Sequence, residues 1–166
     1  MSHSVSTPTQ MASLRFVCAG FAALGLGAAV YLLARPAGSS HLPWGLGHDL
    51  WPALTGPLPA LSHTLAFALL STAAWGPSRD RLRRSVGLWV AIGWAFELLQ
   101  HPRIATATLP HPGALNGDGP ITTAMALLAR HAHLGTFDPL DLVATALGGG
   151  LALLLGSRLL ALGWRR

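Results

Sequence analysis

FVCAGFAALGLGAAVYLLA, residues 16–34, is a run of 19 uncharged residues held between Arg15 and Arg35. At 1.5 Å of rise per residue it makes a helix about 28 Å long, close to the thickness of the hydrocarbon core of a bilayer. A cleaved signal peptide is the competing reading. Its apolar region would span only about 7–15 residues and be followed by an A-x-A-like site. Here Pro36 interrupts the best candidate site, so an uncleaved span is expected.

Composition agrees with a membrane setting. Of 166 residues, 51% are hydrophobic and 10% charged, and mean hydropathy is +0.47. Soluble domains carry about 25% charged residues. Net charge is +5, and all eleven basic side chains are arginine. A basic soluble protein would suggest nucleic acid. These arginines stand instead at the ends of apolar runs, so no nucleic-acid partner is expected and the bilayer is the first partner. Cys18, the single cysteine, excludes an intramolecular disulfide and any cysteine-rich metal knuckle.

Outward from the first run, the chain reads as one all-α membrane domain, residues 1–166, with four spans at about 16–34, 59–75, 84–100 and 140–163. Residues 36–59, rich in proline and glycine with Trp44 and Trp51, read as a loop at the membrane surface. The second and third spans are short, so a thinned bilayer or snorkelling flanks are expected. With four crossings, Arg15, Arg79, Arg81, Arg83, Arg84, Arg158, Arg165 and Arg166 share one side, and Arg35, Arg103 and Arg130 the other. The positive-inside rule then puts both termini in the cytoplasm of a multi-pass bacterial inner-membrane protein, with a long loop at 101–139 facing outward. The first part of that loop, residues 101–120, reads as irregular. Residues 121–134 suit a surface helix, either packing only or acting as a lid.

GWAFELLQHPR, residues 93–103, poses the functional question. Glu97, Gln100 and His101 share a helix face by i, i+3, i+4 spacing. Asp138, Asp141 and Thr145 do the same on the fourth span, and His63 lies one turn inside the second. Of these, His63, Glu97, Gln100, Asp138, Asp141 and Thr145, together with Arg103, form a candidate ligand-binding set near one membrane depth. Ionisable groups at such depth face a bundle interior or an aqueous cavity and mark function. Plainer roles stand beside this. Asp138 can cap the fourth helix with Pro139 at its first position. Gln100 can be solvated at a helix end, and His63 can be a structural histidine.

Three readings of the cluster follow. It can bind a lipid headgroup or a lipid-linked cell-wall precursor. It can act on such a molecule, with His63, Glu97 and Asp141 as acid–base candidates, or with His63, Glu97, His101, Asp138 and Asp141 as metal ligands. It can simply hold helices together. Haem is not expected, because only His63 lies within a span and a b-type haem needs two facing histidines. Nor is a nucleotide, because no P-loop is present and Gly148–Gly150 follows no strand. Gly148, Ala152 and Gly156 give instead the small-xxx-small spacing of close helix pairs.

Three segments resemble the VanZ-like family of small polytopic bacterial membrane proteins. PALSHTLAFALL carries His63, Phe67 and Leu70 of the family's first motif, FELLQ carries Glu97 and Gln100 of its second, and TFDPLDLVATALGG carries Phe137, Asp138, Asp141 and Gly148 of its third. The resemblance covers roughly residues 59–155, with the motifs in order. It implies a cell-envelope membrane protein associated with resistance to glycopeptide antibiotics such as teicoplanin. Departures are clear. Pro59 and Ala60 replace an Asp-Lys pair, Thr64 an aromatic residue, Gly135 an arginine and Thr145 an asparagine, and the 35 residues 101–135 replace a shorter connection.

Overall fold

Proline, serine and glycine set the ends of the apolar runs, which fold as helices. The computed structural model describes residues 8–34, 56–111, 114–115 and 119–163. Within them lie α1 (Pro8–Ala34), α2 (Leu58–Trp75), α3 (Arg79–Leu99), α4 (Pro102–Thr108), α5 (Pro120–Leu134) and α6 (Pro139–Gly163). No strand occurs among the described residues. The described residues are all-helical, and three of their helices are long and apolar enough to cross a membrane: Gln10–Val30 of α1, Leu58–Trp75 and Pro139–Leu162. The expected surface loop with Trp44 and Trp51 lies outside the described residues.

The expected third span differs. Its helix begins at Arg79, five residues before the expected start, because Ser78 adopts an extended conformation and its hydroxyl accepts the Arg81 N–H at 3.3 Å. This N-cap winds Arg79, Asp80, Arg81, Arg83 and Arg84 into α3. With that charge, α3 is not among the helices apolar enough to span. Gly76 makes the α2–α3 turn at φ +88°, where a side chain would be strained, and its carbonyl accepts from Arg81 Nη1 at 3.0 Å.

Helix α2 is the centre of the bundle. Its buried residues, including Ser62, Thr64, Ala66, Leu69 and Thr72, face α1, α3 and α6 in turn. Small side chains allow this, and their hydroxyls are satisfied locally: Thr64 donates to the Ala60 carbonyl at 2.9 Å and Thr72 to that of Ala68 at 2.7 Å. Ser85 of α3 also donates to the Ala68 carbonyl, at 2.8 Å. Helix α1 runs antiparallel to α2, with Gly20 against Leu70 and Gly27 against Ser62. Helix α3 is antiparallel to both α2 and α6, with Gly93 beside Thr145 and Leu82 beside Gly156. Gly148 lies directly on the backbone of Leu61, and Ala152 is fully buried, as the small-residue spacing predicts. Phe16, Leu69, Leu82, Val86 and Ala152 share the core.

Outside this core, exposure is inverted relative to a soluble protein. Leu14, Phe21, Leu26 and Leu32 of α1 and Leu140, Val143, Leu147, Leu151 and Leu154 of α6 are exposed. Contiguous apolar surface on this scale needs a lipid or protein partner.

The 101–120 segment is a further correction. It is not irregular throughout, because α4 occupies Pro102–Thr108 with a proline in its first turn and Ala105 buried. Its threonines bond back into the turn, Thr106 to the Pro102 carbonyl at 2.8 Å and Thr108 to that of Ile104 at 2.7 Å. Helix α5 covers the helix expected at residues 121–134. It buries Ala129 and Ala132 and exposes Ile121, Leu127 and Leu134.

Candidate functional site

Five residues of α3 and its C-cap, Gln100, build one wall of a cleft. Trp89, Gly93 and Glu97 follow i, i+4, i+8 spacing and lie on one stripe of the helix, with Ile92, Phe96 and Gln100 beside it. Gly93 matters because a Cβ there would press on the Thr145 side chain. Across from α3 stand Ala60, His63, Thr64 and Phe67 of α2, Asp141 and Thr145 of α6, and His131 of α5. The cleft they enclose measures about 390 Å³. It sits at the end of the bundle opposite Arg79–Arg84, between the N-terminal half of α2, the C-terminal half of α3 and the first turns of α6.

Glu97 answers the question its position raises. It is only 7% exposed, and its Oε1 accepts the backbone N–H of Asp138 at 2.6 Å. That N–H immediately precedes α6, so the carboxylate also lies at the positive end of the α6 dipole. A buried carboxylate is tolerated when hydrogen bonds replace its lost water. The Asp138 side chain accepts the Leu140 N–H at 2.9 Å and caps α6, with Pro139 as its first residue.

The remaining polar groups are held less completely. Asp141 lines the cleft with its Oδ1 buried and without a hydrogen-bond partner. Gln100 Nε2 lies 2.8 Å from His131 Nε2, which ties the end of α3 to α5. The His131 ring also meets Phe96 edge-on at 5.4 Å. His63 is exposed and stacks on Phe67 at 6.0 Å, and Phe67 stacks on Trp89 at 4.7 Å. Trp89 is fixed in turn by its indole N–H, which donates to Ser71 Oγ at 2.8 Å. The site therefore has an aromatic and aliphatic floor near mid-helix and a polar rim at the helix ends.

Of the residues singled out in the sequence, the cleft brings together His63, Glu97, Gln100, Asp141 and Thr145. It leaves out Asp138, His101 and Arg103. The His101 ring packs edge-on to Phe137 at 5.2 Å, and Arg103 is exposed on α4. Among the described residues, no three His, Cys, Asp or Glu side chains are placed to hold a metal ion, so the five suggested metal ligands do not converge. Sequence reasoning missed Trp89, Phe96 and His131. Trp89 shares a helical stripe with Glu97, but spacing alone does not tell a cleft-facing aromatic residue from a lipid-facing one. His131 was not legible either, because only the fold brings α5 to Gln100.

No protein-family model, curated protein or solved structure matches this chain.

Proposed function

We propose that this chain is a VanZ-like integral membrane protein whose outward cleft binds a lipid or a cell-wall-related lipid-linked molecule. In this reading α3 is a fourth span, both termini are cytoplasmic, and the membrane is the bacterial inner membrane. The antiparallel course of α3 against α2 and α6 supports the fourth crossing, since snorkelling arginines can extend a short apolar stretch. The excess of arginine at the opposite end from the cleft supports the orientation. Through the motif resemblance, the same reading carries the association with glycopeptide resistance.

The observation that carries the proposal is the gradient within the cleft. Phe67, Trp89 and Ile92 lie toward the middle of the helices, and Glu97, Gln100, Asp141 and His131 toward their ends. An amphiphile has the same order, chain inward and headgroup outward. Native mass spectrometry of the protein released from nanodiscs tests this, with Ile92→Trp filling the floor. Lipid adducts on the wild type, reduced in Ile92→Trp at unchanged helical content, are expected. Absence of adducts on the wild type, or their persistence in the filled variant, would remove the reading.

A second reading is favoured by the Glu97–Asp138 bond. Glu97 there serves to join α3 to the start of α6, and the bundle is a structural partner in the membrane. Retention of lipid by Glu97→Gln alongside loss of folding in Glu97→Leu would favour it over a direct part for Glu97 in binding.

A further inference from the structure

The charge around the cleft is lopsided. Glu97 and Asp141 both line it, and no arginine among the described residues does. Arg103 and Arg130, on α4 and α5, are exposed and outside the lining. The other titratable groups of the lining are His63 and His131, and the latter is engaged by Gln100. Two carboxylates in a bundle interior carry a desolvation penalty of several kcal/mol per ion unless a counter-charge meets them.

The two carboxylates are met unequally by hydrogen bonds. Glu97 is more than nine-tenths buried, and while Oε1 takes the Asp138 N–H, no described residue donates to its other oxygen. Asp141 keeps a buried Oδ1 without any partner. The wall beneath them is aromatic, with Phe67 and Trp89 stacked at 4.7 Å and Phe96 alongside. Aromatic rings attract cations through their quadrupoles, tryptophan most strongly. Among the described residues no three His, Cys, Asp or Glu side chains are placed to hold a metal ion, which disfavours a bare metal here. A larger cation with an apolar attachment matches both the acids and the rings.

We infer that the cleft is a site for an organic ammonium group, received by Glu97 and Asp141 above the Phe67–Trp89 wall. The inference rests on the cleft being a ligand site and specifies the chemistry of its ligand. The ammonium can belong to a membrane lipid or to a soluble amine, and the test separates these sources.

Full-length protein is exchanged into nanodiscs containing phosphatidylethanolamine, its N-acetyl derivative with the same acyl chains, or phosphatidylglycerol. Retained lipid is counted by native mass spectrometry, with free ethanolamine as competitor. Selective retention of phosphatidylethanolamine is expected, falling about tenfold or more in Glu97→Gln and in Asp141→Asn. Glu97→Gln keeps an oxygen for the Asp138 N–H, and circular dichroism checks that both variants fold. Displacement by ethanolamine without any lipid selectivity, read as a saturable shift in tryptophan emission absent from both variants, would assign the site to a soluble amine. Equal retention of the N-acetyl lipid or of phosphatidylglycerol would overturn the ammonium inference while leaving lipid binding intact. Retention of no lipid and no response to ethanolamine would overturn both.

Discussion

At the residue scale, Glu97 has two duties that conservative substitutions separate. Its Oε1 accepts the Asp138 N–H at 2.6 Å, and its carboxylate faces the cleft. Glu97→Leu leaves that N–H without an acceptor in a buried setting, and unfolding in detergent should show a loss of about 1–3 kcal/mol. Glu97→Gln should keep most of the stability. Equal stability of the two variants would mean that the N–H finds another partner. The site was legible in part for a physical reason. His63, Glu97, Gln100, Asp141 and Thr145 interrupt apolar helices, and a polar group there stands out by composition and spacing. Trp89 and Phe96 do not stand out, because an aromatic residue on such a helix faces lipid or cleft equally well in sequence. In sequence, Asp138 suits a ligand and a cap equally. The structure gives the cap through its side chain and adds a donor through its backbone.

At the element scale, close helix contacts depend on glycine at some positions and not at others. A Cβ on Gly148 would meet the backbone of Leu61, including its Cα at 3.1 Å, whereas one on Gly25 or Gly150 would meet nothing within 4 Å. Gly148→Val should therefore destabilise by at least about 1–3 kcal/mol, since a backbone cannot move aside as a side chain can. Gly150→Ala should be neutral or stabilising by up to about 1 kcal/mol through helix propensity. Thermal melts of the two variants check both, and similar melting points would contradict this packing. Helices α1, α2 and α6 could be placed from hydropathy alone to within a turn at most ends; the start of α1, two turns early at Pro8, is the exception. The start of α3 and the whole of α4 could not. Ser78 as a cap and Pro102 in a first turn act through local backbone bonds that an average over an apolar window does not register.

At the scale of the whole molecule, the α2–α3 turn and α4 should lie on opposite sides of the membrane if α3 crosses it. Cys18 is the sole cysteine, so Cys18→Ala provides a blank background for labelling. Ser78→Cys should react with an impermeant maleimide only in inverted vesicles, and Thr108→Cys only in intact spheroplasts. Labelling of both from one side would return the bundle to three crossings. The course of the chain also bears on how the protein is made. Glu97 emerges from the ribosome 41 residues before the N–H that binds it, and Asp141 and Thr145 follow only with the final helix. Until α6 docks, Glu97 lacks the hydrogen-bond donor that it meets in the folded bundle. The bond that joins Glu97 to the start of α6 therefore closes only when that helix docks.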